Sequence, residues 1–337
     1  MFIARWDLDK TYLRTEFDTL GDLLRTAVER PDQKRSVPGA AALLRELGRS
    51  GARIHILSGS PRQMRSRLEE KLRIDGARWD EMTLKPNLRN LMRLRFFALR
   101  DQLGYKLPSL LAARVRDQAR AAGAPCHEAL LGDDAEADAF VYSLYADVVA
   151  GAVDAAQLAH ILDAGKVYDD QAKSSLAAAS ALERAPAVER ILIHLDRQSP
   201  PSHFDAYGPR VVPFFNYLQA AFVLAEDGRI DAPAVLRVAA ELVTRHRFDD
   251  DALARSWLDL YRRGHLAVGG AQAFAAASTI EDAAVQPSAR SVLARMAATI
   301  AGYAADPPER AVRRAASLDY VGLATKHRGG SERRRRA

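Results

Sequence analysis

A single cysteine, Cys126, stands among 337 residues, so neither an intrachain disulfide nor a thiolate metal site can be built. That usage fits a reducing compartment, and a cytoplasmic protein is expected. No stretch approaches the roughly 20 uninterrupted apolar residues of a membrane-spanning helix. The opening MFIARWDLDKTYL lacks the apolar run and cleavage site of a leader peptide. Also missing is a Gly-rich loop ending in Gly-Lys-Ser/Thr, which argues against a nucleotide-dependent kinase half. No repeat of fixed period is present. His194, His203, His246 and His265 are scattered without a metal-ligand spacing, so structural roles are expected for them.

Net charge of +6 points weakly to an anionic partner. Six of the positive charges and one negative fall at or after Lys326, so the preceding 325 residues carry about +1. A near-neutral body gives no electrostatic footprint for nucleic acid. The ending KHRGGSERRRRA reads as a disordered, solvated basic tail, whose sharper reading is a contact to anionic lipid or nucleic acid.

What remains is ordinary for a globular chain: 48% apolar and 27% charged residues, with enough alanine to raise helix above the usual third. Short apolar runs alternate with helical periodicity in the first half. FIARWD, RIHIL, the run entering Gly132-Asp133-Asp134, and ADVV at 146–149 read as strands, with RILIHL at 190–195 as a further one. Helices are expected over 12–30, 39–49, 61–72 and 110–122. This alternation predicts an α/β fold, a parallel sheet with crossover helices. Residues 154–184 read as helical. Beyond Pro209 helix follows helix, over 211–226, 232–246, 250–263, 268–284, 287–304 and 308–316, and Phe214, Phe215, Tyr217 and Trp257 are expected in core or interface positions.

Four signals sit at ends of expected strands, where ligands bind in open parallel sheets. Asp7-Leu8-Asp9-Lys10-Thr11 places two carboxylates two residues apart directly after a strand. Asp7 can attack phosphorus, and Asp9 can exchange the proton of the leaving group and of water. Ser58 follows RIHIL; its hydroxyl can donate to a phosphoryl oxygen, although a Ser before a helix is commonly only a cap. A lysine is needed to neutralise developing charge: Lys106 in GYKLPSLL, with Lys85 in TLKP as its rival. Gly132-Asp133-Asp134-Ala135-Glu136-Ala137-Asp138 closes the set. Asp133, with Asp138 or Asp134, suits a hard cation that takes a few protein oxygens and keeps waters.

These four motifs (DLDKT, the Ser of ILSGSP, Lys106 and GDDAEAD) resemble those of the haloacid-dehalogenase (HAD) superfamily. The finer similarity is to lipin-like and actin-patch phosphatidate phosphatase catalytic domains, in VPGAAALLRELGRSG, ILSGSPRQM, TLKPNL and LLGDDAEADAFVY. It covers residues 1–150, extending to 197 if RILIHLDR is the last strand. The resemblance implies a HAD-like Rossmannoid sheet with flanking helices, and hydrolysis of a phosphate monoester with Mg²⁺. It makes Asp7 the nucleophile, Asp9 the acid/base, and Ser58, Gly59 and Lys106 the phosphate binders. Asp7, Asp9 and Asp133, joined by Asp134 or Asp138, become the metal set, and Thr11 steadies the loop. Lys10 stands where the lipid phosphatases carry a third Asp, and Arg62 where an aromatic is common.

The expected organisation is a phosphatase domain over 1–200 with a helical insertion at 152–186, an all-α domain over 205–318, and a basic tail over 319–337. The expected substrate is a phosphorylated small molecule or a lipid phosphate, with no nucleic acid and at most peripheral membrane contact. The basic amphipathic stretch 87–105, with Arg89, Arg93, Arg95 and Arg100, reads either as a core helix with a solvated face or as a membrane-surface helix. The alternative to an enzyme is a HAD-fold scaffold acting through its helical half.

Overall fold

A computed structural model describes residues 1–13, 36–85, 99–312 and 317–326. Six strands form one sheet: β1 Phe2–Asp7, β2 Arg53–Pro61, β3 Glu81–Lys85, β4 His127–Asp133, β5 Val188–His194 and β6 Val211–Phe214. Their order is β3-β2-β1-β4-β5-β6, and every pairing is parallel. Parallel sheets are covered on both faces, which is why their strands read as apolar runs. Side chains alternate between the faces: Ala129 and Leu131 of β4 enter one core and Leu130 the other.

The helices supply the two covers. On one face lie α1 Ala40–Arg49 and α2 Arg65–Ile74. Opposite lie α3 Leu99–Ala121, α4 Asp138–Ala150, α5 Ala155–Ala164 and α6 Asp169–Ser180, the last two filling the expected helical insertion. After β6 the chain returns to the first face with α7 Tyr217–Glu226, α8 Ala232–His246, α9 Asp250–Arg262, α10 Gly270–Ser278 and α11 Pro287–Ala305. No helix among the described residues is long and apolar enough to cross a membrane.

Several expectations need correction. The helical half is not a separate layer: one apolar cluster holds Ala4 and Trp6 of β1 together with Leu218, Trp257 and Ile300. Residues 211–214, expected to open a helix, are the sixth strand, and the helix starts only at Tyr217. The run 146–149 is not a strand but the last turns of α4, a helix buried nearly all round, whose lack of an exposed stripe hides its period. Helix α3 covers Leu99–Ala121, with Pro108 inside it, where a helix was expected only over 110–122. Residues 308–312 are not helical. The tail is ordered at first: 320–326 is helical, Tyr320 and Ala324 are buried, and the Tyr320 hydroxyl donates to Asp147 at 2.7 Å. The expected helix at 12–30, the basic stretch over 87–98 and the run Arg333–Arg336 fall, wholly or almost wholly, outside the described residues.

A charged cluster is sealed in around Arg5 of β1. The Arg5 guanidinium donates to both Glu128 oxygens at 2.8 and 2.9 Å and to Asp117 at 2.9 Å. Arg114 and the Tyr145 hydroxyl donate to the same Glu128 at 2.9 and 2.7 Å, and His55 Nδ1 lies 3.1 Å from Arg5.

Candidate active site

The strand order reverses direction between β1 and β4, and in doubly wound sheets the crevice beyond the carboxyl ends at such a point is where ligands bind. Asp7 ends β1 and Asp133 ends β4, so the two acids flank that crevice. Both are about 1% exposed.

Asp7 is held asymmetrically. Its Oδ2 is 3.5 Å from Lys106 Nζ, while its buried Oδ1 has no hydrogen-bond partner among the described residues. Lys106 projects from α3 and is itself about 1% exposed. Its ammonium contacts Glu136 at 2.8 Å and pairs with Asp138, and it lies 5.8 Å from the centre of the Tyr142 ring. Burial alone would push the Lys106 pKa down, but Asp138, Asp7 and Glu136 outweigh it and hold it well above the ordinary range. The same burial pushes Asp7 and Asp133 well above the usual carboxylate range; Asp138 and Glu136 add to it at both, and Lys106 opposes it at both. Asp138 is raised by burial too, with Lys106 opposing. Several acids thus crowd one ammonium in a region of low dielectric, where like charges disfavour ionisation unless a cation compensates them.

Asp9 is oriented by two serines of β2. Ser58 Oγ donates to its Oδ2 at 2.9 Å and Ser60 Oγ at 3.3 Å, while Ser58 Oγ accepts from the Ser60 amide at 3.0 Å. The register of β2 against β3 shifts between Ser58 and Pro61; such a bulge re-aims side chains at a rim. In this arrangement Ser58 steers Asp9 instead of presenting a free hydroxyl. A Cβ added at Gly59 would meet nothing within 4 Å, so approach past Gly59 is open. Ser60 gave no sequence signal beyond its place in a Ser-Gly-Ser turn.

The β4 loop divides the expected ligands. Asp133 Oδ1 accepts the amides of Ala135 and Glu136 at 2.7 and 3.1 Å, and Thr11 Oγ1 donates to Oδ2 at 3.3 Å, so Thr11 does tie the two loops. Asp134, expected as a candidate metal ligand, is committed elsewhere: its oxygens accept the amides of Arg197 and Ser199 at 2.8 and 3.0 Å, because alternation along the chain turns it toward β5. Glu136, which spacing did not single out, takes its place. The side chains of Asp7, Glu136 and Asp138 bring oxygens within 4.8 Å of one another and could hold a metal ion. Asp9 and Asp133 do not share in that group of side chains. Its centre is bridged by the Lys106 ammonium, whereas Asp7 Oδ1 is the acceptor left over.

Lys85, the rival lysine, ends β3 with its ammonium 5.2 Å from the Tyr105 ring centre. The Tyr105 hydroxyl donates to the Ser58 carbonyl at 2.7 Å, so α3 braces β2 beside the site. A cavity of about 560 Å³ in the helical half shares no lining residue with this rim. Its arginines are already paired, Arg237 with Glu46 and Asp282 and Arg290 with Glu281.

Compared with family models, curated proteins and solved structures, the chain gives no match.

Proposed function

We propose that the chain is a Mg²⁺-dependent phosphohydrolase that cleaves a phosphate monoester through an aspartyl-phosphate on Asp7. The observation that carries this reading is the pairing of a buried Asp7, one oxygen on Lys106 and the other without a hydrogen-bond partner among the described residues, with Asp9 two residues on and held by two hydroxyls. The HAD resemblance of the four motifs and the place of Asp7 and Asp133 at the topological switch support it.

In this mechanism an Asp7 carboxylate oxygen attacks phosphorus and the bond to the leaving oxygen breaks, while Asp9 delivers a proton to that oxygen. Water then attacks phosphorus, Asp9 accepts its proton, and the bond to Asp7 breaks to release phosphate. Lys106 offsets charge on Asp7 and the phosphoryl group, and Ser58 and Ser60 aim Asp9. The donor set is all oxygen, which fits a hard cation, and the excess of acids over Lys106 and the leftover Asp7 Oδ1 fit its charge. The resemblance would seat Mg²⁺ on Asp7, the Asp9 carbonyl and Asp133, whereas the side-chain oxygens that lie within 4.8 Å of one another are those of Asp7, Glu136 and Asp138. The bound ion would neutralise phosphoryl charge.

The test is hydrolysis of a generic aryl phosphate with and without Mg²⁺ by the wild type and Asp7→Asn. We expect metal-dependent turnover that falls at least 10³-fold in the variant, in keeping with loss of a covalent nucleophile. No metal-dependent turnover on any of a broad phosphate panel would leave the scaffold reading instead. The substrate is a phosphorylated small molecule or a lipid phosphate; turnover of phosphatidate on vesicles well above that of soluble phosphates selects the lipid.

A further inference from the structure

The Asp7–Asp9 segment contains one backbone conformation that its own sequence does not favour. Lys10 has φ 59°, the left-handed region that non-glycine residues adopt only when their surroundings enforce it. Local bonds close the turn, with the amides of Tyr12 and Leu13 on the Leu8 carbonyl at 3.0 and 2.9 Å, but they leave the next carbonyls to other partners. Two side chains from far along the chain take them. His194 Nδ1 lies 3.2 Å from the Lys10 carbonyl, and the Tyr217 hydroxyl donates to the Thr11 carbonyl.

Those two rings are themselves fixed. Tyr217, fully buried, stacks on Trp6 at 5.5 Å and on His194 at 5.7 Å, and meets Phe214 edge-on at 5.1 Å. Its Cβ fits because residue 39 is glycine: a Cβ there would come within 3.0 Å of it. The start of α7 is tied to α9, with Asn216 donating to Ser256 at 3.0 Å and Gln219 to Asp259 at 2.7 Å. A mechanical line therefore runs from α9 through Tyr217 to the Thr11 carbonyl, and from the Thr11 hydroxyl to Asp133.

Resting on the phosphohydrolase reading, we propose that Tyr217 and His194 are positioning residues: the helical half sets the geometry of the Asp7–Asp9 loop. Displacing reacting groups by about 1 Å costs on the order of 100-fold in rate. The test uses the full chain with Tyr217→Phe, which keeps the stack and removes only the hydroxyl, and the pair His194→Asn and His194→Leu. Asn retains an N–H donor near the Nδ1 position and Leu does not. The readouts are kcat and KM for an aryl phosphate with Mg²⁺, and amide hydrogen exchange of the Leu8–Leu13 peptide without substrate.

Tyr217→Phe is expected to lower kcat about tenfold or more with KM within about twofold, and to speed exchange of that peptide. His194→Asn should retain most of the turnover that His194→Leu loses. Wild-type kcat in Tyr217→Phe overturns the proposal in an active enzyme, as does equal turnover of the two His194 variants. Unchanged exchange in Tyr217→Phe overturns it whether or not the wild type turns over. A wild type without phosphatase activity defeats the proposed function alone, and the exchange comparison still decides the positioning role.

Discussion

Arg5 stands in the second half of β1, two residues before the proposed nucleophile, and is 3% exposed. A guanidinium tolerates that position only because Glu128 and Asp117 neutralise it and Arg114 is balanced by the same Glu128. Burial pushes the Glu128 pKa up, but Arg5 and Arg114 outweigh it and bring it down to about 2 from the ordinary 4.5. A carboxyl depressed on folding contributes stability above its unfolded pKa and loses it as pH falls toward the folded one. Here that contribution is about 3 kcal/mol, lost between roughly pH 4.5 and pH 2. His55, lowered by burial and then by Arg5, acts with the same sign, its share fading as pH falls below the ordinary 6.5. The Glu128 share should appear as a loss of urea midpoint in the wild type between about pH 4.5 and pH 2. Glu128→Gln should cost about 3–5 kcal/mol at neutral pH, since two guanidinium groups lose their anion, and should flatten the acid limb. Equal slopes in variant and wild type between pH 4.5 and 2 would contradict this account.

At the scale of elements, α4 is set by a residue outside it. Gly132 has no positive φ to explain it; an added Cβ would lie 2.3 Å from Asp138 Oδ2 and 2.7 Å from Asp138 Cβ. The first turn of α4 therefore sits directly over β4, and the Asp138 carboxylate reaches both the Asp133 amide at 3.1 Å and Lys106. Gly132→Ala should push that turn outward, uncouple Asp138 from Lys106 and lower kcat about 10- to 100-fold while the protein still melts cooperatively. Steady-state kinetics beside a thermal scan checks it. Elements with one buried stripe were legible from the sequence: α8 covers Ala232–His246 and α11 Pro287–Ala305, close to their apolar periods, with Pro in the first turn of each. The ends of β1 and β4 were legible because acids break apolar runs there, whereas β2 runs on past RIHIL through Ser58 to Pro61. β3, five residues with intermediate burial at every second position, gives too short a pattern to read, and β6 hides in a stretch that continues apolar into α7.

For the molecule as a whole, composition shift is a poor guide to where a domain stops. The change from alternating strands to successive helices near residue 205 marks only where the chain finishes the sheet and starts covering its first face. Trp6, Leu44 and Ile56 share their cluster with Tyr217, Leu242 and Leu293, so a fragment ending at residue 200 would expose apolar surface that the later helices cover. Such a fragment should show no cooperative thermal transition by circular dichroism, whereas the full chain melts as one unit. Two separate transitions in the full chain would contradict that. The same burial explains which parts of the site were legible. Asp7, Asp9, Ser58, Lys106 and Asp133 follow from motif order, but Glu136 in place of Asp134, and the hold of His194 and Tyr217 on the loop, depend on contacts spanning up to 206 residues, which no local pattern carries.

Pro213 gives the sheet's β6 border a particular character. It pairs with Ile193 and lacks the N–H through which a strand outside β6 would be recruited, while its carbonyl already accepts from Arg263 at 2.8 Å. A strand so furnished neither donates nor accepts outward at its midpoint. Growth of the sheet from molecule to molecule is thereby disfavoured along β6.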